Sequence, residues 1–354
     1  MFASTTRFQR WCRIALLACG LIVCGGTAEL CAEDAVPTAV VARCQVVPLA
    51  DLQVAFTIDG VEKVRWQYGE QYPRPFFFPF RGPSGEMLTR MGHPGAPDHD
   101  HHQSVWFAHN KINGLNFWGN ADNTQIRQKQ WLCYQDGPSE ATMATLLGWY
   151  DPSDTEIMEQ ELIASLLPIP PTAEGGVEEH ALELQFTLRP AAALDAVEIE
   201  QTNFGFLAVR VAKSISANFG GGHLSNSDGA VGEVECFGKP AKWMDYSGPV
   251  AVGQGSERTI ALEGITFFDH PHNLHYPTHW HVRQDGWMGA AFGLQEGMQI
   301  TREQPLTLRY LLYAHAGAYD AAAAEVVFQQ FAQRSHWSIS KGTKPNYQFE
   351  VKRQ

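Results

Sequence analysis

In His180-Ala181-Leu182-Glu183-Leu184-Gln185-Phe186-Thr187-Leu188-Arg189, apolar and polar side chains alternate from Leu182 to the end. A period of two belongs to a β-strand, whose successive side chains point to opposite faces; a helix returns its apolar residues every three or four positions. Leu182, Leu184, Phe186 and Leu188 are therefore expected on a core face, and Glu183, Gln185, Thr187 and Arg189 on a wet one. Outward from this stretch, strand-sized runs recur at 41–47, 54–58, 61–66, 197–202, 206–211, 259–268 and 306–315. Each is bounded by Gly, Pro, Asp or Asn, and Asp59-Gly60 is a hairpin-turn signal. The 20 Phe, 10 Trp and 10 Tyr suit pleated, half-buried surfaces, and the 32 Gly and 20 Pro suit many turns. These features predict an all-β, mainly antiparallel fold, a β-sandwich or supersandwich. One C-terminal helix is expected near 320–334, with Asp320 as N-cap ahead of 321–324 and apolar Val326, Val327 and Phe331. Residues 169–176 read as a loop or long hairpin tip.

The amino-terminal 32 residues carry the order of a signal peptide: Arg7, Arg10 and Arg13, then an apolar run over 14–23, then small residues around Gly26-Thr27-Ala28 and Leu30-Cys31-Ala32. The run is short of the roughly 20 residues that a membrane span needs. The expectation is an exported chain, periplasmic or extracellular, with residues 33–354 as a single β-sandwich domain that does not span a membrane. The formal net charge is −12, and loss of the leader makes it two units more negative. An acidic chain of this kind is poorly suited to nucleic acid. Four of the seven cysteines fall in the leader; Cys44, Cys133 and Cys236 remain, without zinc-ligand spacing, and are expected as buried free thiols. Gly220-Gly221-Gly222 lacks the helix and Lys-Ser/Thr of a phosphate loop, so no nucleotide cofactor is expected.

Chemistry concentrates in two histidine-rich segments. In the first, 93–109, His93, His99, His101, His102 and His109 accompany Asp98 and Asp100. On extended backbone His99 and His101 share one face and His102 takes the other. In the second, 269–283, His270, His272, His275, His279 and His281 lead to Arg283, with His279, His281 and Arg283 on one strand face. Histidine titrates near neutrality and is the commonest metal ligand, so such density suits acid/base catalysis or metal binding. His101, His102, His281 and Arg283 are the candidate catalytic residues. His99, His101 and His279 are candidate ligands for a divalent metal. Trp106, Asn113, Trp118 and Trp280 are candidate sugar-binding residues, because aromatic faces cover C–H surfaces and amides meet hydroxyls. Trp243-Met244-Asp245-Tyr246 has the same character. Asp269, Glu296 and Glu303 stand as possible carboxylate partners. There is no Gly-x-Ser-x-Gly elbow and no His-Glu-x-x-His pair.

Several of these stretches together resemble the exported bacterial proteins catalogued as "methane oxygenase PmoA" proteins. They are Arg74-Pro75-Phe76-Phe77-Phe78-Pro79, His99-Asp100-His101-His102-Gln103-Ser104-Val105-Trp106-Phe107, Asn113-Gly114 with Phe117-Trp118, Trp243 to Gly248, Phe268-Asp269-His270-Pro271, and Pro277 to Arg283. Gln103 stands where that family carries an arginine. The resemblance covers about residues 40–340 and implies an exported β protein of carbohydrate-scavenging bacteria. The family label implies methane oxidation, but the membrane subunit of that chemistry needs several transmembrane helices, which this sequence lacks. The arrangement is also similar to the galactose mutarotase-like supersandwich.

The functional expectation is an enzyme acting on a small-molecule carbohydrate by histidine acid/base chemistry, of epimerase, lyase or hydrolase type. The alternatives are a non-catalytic carbohydrate-binding protein and a metal-dependent oxygenase. The site is expected where the two histidine segments meet, with at least one of His99, His101 and His102 within about 10 Å of His281 or Arg283.

Overall fold

The computed structural model of the protein describes residues 41–171 and 176–354. The expected leader at 1–32 lies outside the described residues, as does the centre of the 169–176 tip. Strands β1 (Cys44–Leu49), β2 (Gln53–Ile58), β3 (Val61–Gln67), β4 (Phe76–Phe80) and β5 (Val105–His109) are followed by β6 (Gln125–Gln135), β7 (Ala141–Tyr150), β8 (Glu156–Ile169) and β9 (Glu179–Pro190). Next come β10 (Ala196–Ile199), β11 (Gly205–Arg210), β12 (His223–Asn226), a one-turn helix α1 (Gly232–Cys236), β13 (Trp243–Val252) and β14 (Thr259–Asp269). The chain ends with β15 (Trp280–Arg283), β16 (Trp287–Ala290), β17 (Met298–Thr301), β18 (Leu306–Ala316), helix α2 (Ala321–Gln333), β19 (Trp337–Lys341) and β20 (Phe349–Arg353).

Two eight-stranded sheets carry the fold. One has the order β1-β2-β3-β4-β5-β11-β16-β15, the other β12-β13-β14-β18-β9-β8-β7-β6. The neighbours pair antiparallel throughout both, from β1–β2 to β15–β16 and from β12–β13 to β6–β7. Apolar rings from the two inner faces meet between them. Phe107 of β5 stacks on Phe186 of β9 with 3.8 Å between centroids, and Phe267 of β14 lies edge-on to Trp280 of β15 at 4.8 Å. Burying each such ring is worth about 1.5–3 kcal/mol, and this inter-sheet layer is the main core. The expected sandwich is the observed one, and residues Ala42–Gln354 form one compact unit.

Strand β9 shows where alternation alone falls short. Leu182, Leu184, Phe186 and Leu188 face the inter-sheet core as expected, but the opposite face is not wet. Glu183 is 0 % exposed and Gln185 3 %. Helix α2 covers this face of the sheet: Ala324, Val327, Phe328 and Phe331 pack on Ala181, Leu311, Trp243 and Phe268. Residues 324, 327, 328 and 331 make one helical stripe, while Val326 points to solvent. The β19–β20 hairpin covers the rest. Gln185 exchanges two hydrogen bonds with the Trp337 backbone, and Glu183 accepts from Arg309, Arg334 and Arg353. The polar face is buried because later elements supply its partners. Cys44, Cys133 and Cys236 are free thiols.

Candidate active site

The pairing of β5, β11, β16 and β15 puts the site on the outer face of the first sheet. Trp106 lies opposite Ala208, Ala208 opposite Gly289, and Gly289 opposite His281. One row further along the same face, Arg210 lies opposite Trp287, and Trp287 opposite Arg283. The small residues in the first row matter. A Cβ on Gly289 would sit 2.8 Å from Trp287 Nε1, so the glycine lets the indole lie across the strand and stack on His281, with centroids 4.8 Å apart. The β15–β16 turn closes through Gly286, at φ +99°, a left-handed position that favours glycine.

Loops roof this face. The 96–103 segment is a turn, not extended strand: His99 N–H bonds Ala96 O, and His102 N–H bonds His99 O. His102 therefore joins His99 and His101 instead of pointing away from them. The ring centroids stand 5.4 Å (His99–His101), 4.9 Å (His99–His102) and 4.4 Å (His101–His102) apart. Arg74, 1 % exposed, holds the roof from beneath, donating to the Phe117 and Gly119 carbonyls and to Asn120 Oδ1. Asn116 Oδ1 accepts from Trp118 N–H and Gly119 N–H, fixing the turn that stacks Trp118 on Trp287 at 5.4 Å. The resulting open cleft, about 380 Å³, is lined by His99, His101, His102, Asn110, Asn116, Trp118, Phe204, Arg210, His281, Arg283, Asp285 and Trp287.

The two histidine segments thus meet across one indole. The His102 and His281 rings lie 4.9 and 4.8 Å from Trp287, so they are less than about 10 Å from each other. Their partners give them opposite roles. Arg210 Nη2 approaches His102 Nδ1 at 2.6 Å; a guanidinium only donates, so Nδ1 accepts and Nε2 carries the proton. His281 Nδ1 lies 2.9 Å from the Asn203 carbonyl, which only accepts, so Nδ1 carries the proton and Nε2 offers a lone pair. That Nε2 is buried with no partner among the described residues. Burial holds His281 down to about 4, and burial followed by the Arg210 charge holds His102 far below the ordinary histidine range. His101 is lowered to about 4 by burial and then by Arg74. All three are neutral at pH 7.

Behind His102 runs a relay. Arg210, fully buried, pairs with Asp285, whose other oxygen accepts from His93 Nε2 at 2.8 Å. Burial alone would raise Asp285, but Arg210 and His93 bring it below the usual carboxylate range. Arg90 ties the same turn down by donating to the Asp285 carbonyl at 2.7 Å. At the mouth, Arg283 pairs with Glu233 of α1 at 3.0 Å and covers the Phe237 ring.

Of the sequence candidates, His99, His101, His102, His281, Arg283 and Trp118 line the cleft. Trp106 backs it, its ring 5.6 Å from His102. Trp280 does not form a wall: strand alternation turns it into the inter-sheet core, where its Nε1–H bonds the Ala241 carbonyl. Asn113 is exposed and bonds the Glu198 N–H; Asn110 and Asn116 line the cleft instead. His279 precedes β15 and does not line the cleft, so the set His99, His101 and His279 is not assembled. Among the described residues no group of three or more His, Cys, Asp or Glu is placed to hold a metal ion. Elsewhere in the second histidine segment His270 bonds Arg309, and His275 stacks on Phe292 and pairs with Glu296 at 3.4 Å. Asp269 bonds Asn273 and Thr278, Trp243 packs under α2, and Asp245 pairs with His315. Among the described residues the carboxylates that reach the cleft are Asp285 and, through cleft-lining side chains, Glu233 on Arg283 and Asp98 on His99.

Sequence reasoning missed Trp287, Arg210 and Asp285. Two signals were present: an Asp285-Gly286 turn directly after the His281-Arg283 strand, and an arginine closing the otherwise apolar strand Phe206-Leu207-Ala208-Val209-Arg210. A comparison with curated proteins finds no match. A family model described as "Family of unknown function (DUF6807)" matches residues 53–329, most of the chain and the whole of this cleft. The protein belongs to the DUF6807 family.

Proposed function

We propose that the cleft is the active site of an enzyme acting on a sugar or sugar-derived small molecule by histidine acid/base chemistry. One observation carries the reading: two neutral imidazoles flank one cleft in complementary states, His102 with its N–H at Nε2 and His281 with an unpartnered lone pair at Nε2. A hydrogen-bond donor and a proton acceptor less than about 10 Å apart can act on neighbouring atoms of one ligand. The cleft lining supports a polyhydroxylated ligand. Trp118 and Trp287 supply apolar faces, while Asn110 Oδ1 and the Nε1 atoms of both tryptophans are buried without partners. Arg283, at the mouth, orients the ligand. We further propose that the chain is exported, on the pattern of residues 1–32.

The test is turnover of a panel of mono- and oligosaccharides by the full chain, followed by NMR. At least one member should be converted, and His281→Ala and His102→Ala should each slow conversion by about 10²–10⁴-fold. Saturable binding of a sugar with no conversion of any member would overturn the enzyme reading and favour a carbohydrate-binding protein.

A further inference from the structure

His102 sits in an environment that refuses a second proton. Arg210 Nη2 is 2.6 Å from its Nδ1, so an imidazolium would place two cations in contact. The other groups facing the ring are His93, His99, His101, Trp106 and Trp287, none of them a carboxylate. Asp285 reaches His102 only through Arg210, which it already neutralises. On the opposite side, His281 is ringed by Phe204, Phe237 and Trp287, with its Nδ1 committed to Asn203. A neutral N–H polarises an oxygen well but surrenders its proton poorly. Cleaving a glycosidic acetal needs an acid that gives its proton to the leaving oxygen, and among the described residues the one carboxylate lining this cleft is the salt-bridged Asp285.

We propose that the cleft takes a substrate with a carbonyl oxygen next to its reacting carbon. The oxygen is held by His102 Nε2–H, the α C–H faces His281 Nε2, and Arg210, Asp285 and His93 are positioning residues for His102. This rests on the acid/base reading above and narrows it. The upper bound of about 10 Å between the two rings leaves room for a carbonyl carbon and its α carbon with contacts of about 3 Å at each end. The C–H bond breaks, its proton moves to His281 Nε2, and its electron pair forms the C=C bond of an enolate. The carbonyl π pair becomes the oxygen charge held by His102. Return of the proton from His281 to the α carbon restores the carbonyl. Where the β carbon carries an oxygen substituent, that group can instead leave with the C–O pair and take the proton. Substrates of this class are keto-sugars and uronates.

The experiment offers the full chain in D2O a panel of hexuloses, each beside its alditol, and of methyl uronosides, each beside the methyl hexoside that has CH2OH in place of the carboxylate, as partners without the α carbonyl. Deuterium is expected at the α position of at least one carbonyl-bearing member and of no carbonyl-free partner; which member exchanges separates keto-sugar from uronate. His102→Phe should lower the rate by about 10²–10³-fold. His93→Ala should lower kcat more than it raises KM, with His93→Gln restoring kcat. Independently of any substrate, ¹⁵N NMR should show His102 as the neutral Nε2–H form between about pH 6 and 8. An imidazolium there overturns the inference. Conversion of glycosides without any carbonyl-dependent exchange overturns it too, while leaving the acid/base reading intact. Conversion of no member brings down both.

Discussion

Replacing Glu183 by glutamine tests how the second sheet is held beneath its covering elements. The carboxylate is fully buried and accepts from Arg309 Nη2 at 2.8 Å, Arg334 Nε at 2.7 Å and Arg353 Nη2 at 2.6 Å. Burial alone would raise Glu183, but the arginines, Arg353 foremost, bring it from 4.5 to about 2. A depression of that size corresponds to about 3 kcal/mol of stability in the ionised state. Breaking a buried ion pair by removing one partner typically costs about 3–5 kcal/mol, so two independent routes agree. Because the folded pKa lies below the unfolded one, this stability is fully present above about pH 4.5 and is lost as pH falls through about 2. At an unfolding entropy of about 2.1 cal/mol/K per residue over a compact unit of roughly 300 residues, about 3 kcal/mol lowers Tm by about 5 °C. Thermal or urea denaturation of wild type and Glu183→Gln at neutral pH should show that loss. The gap should narrow as pH is lowered from about 5 toward 3, where the carboxylate of the unfolded wild-type chain takes up a proton and the folded one still resists it. A loss below about 1 kcal/mol, or a gap indifferent to pH, would refute the reasoning.

Asp269 should act with the opposite sign. Burial pushes it up to about 7, so its contribution falls as pH rises from about 4 to 7; the Tm of Asp269→Asn relative to wild type should improve between about pH 5 and 8, and a flat difference would contradict this. Trp287→Ala should cost about 3–5 kcal/mol and silence turnover, because it removes the ring between His102 and His281; Trp149→Ala, in the other sheet, should match the stability loss but spare activity below its Tm. Asp320→Ala should cost about 1 kcal/mol by urea titration, since Asp320 Oδ1 caps the N–H groups of Ala322 and Ala323.

Fold class was legible because alternation is a local property: Leu182 to Leu188 must present every second side chain to one surface whatever the rest of the chain does. The cap at Asp320 and the stripe of α2 were legible for the same reason. Whether a face is wet is not local. Glu183 and Gln185 read as solvent-facing, yet Arg309, Arg334, Arg353 and Trp337, more than a hundred residues later, close over them. The site divides the same way. Histidine density marked His101, His102 and His281, and spacing put His281 and Arg283 on one face. Only the cross-strand register, which sets Arg210 opposite Trp287 and Gly289 opposite His281, decided that this face points out of the sandwich while Trp280 points into it. The protonation states were beyond the sequence too, because an imidazole takes its tautomer from whichever donor or acceptor the tertiary structure brings to its other nitrogen. For His102 that is Arg210, and for His281 the carbonyl of Asn203.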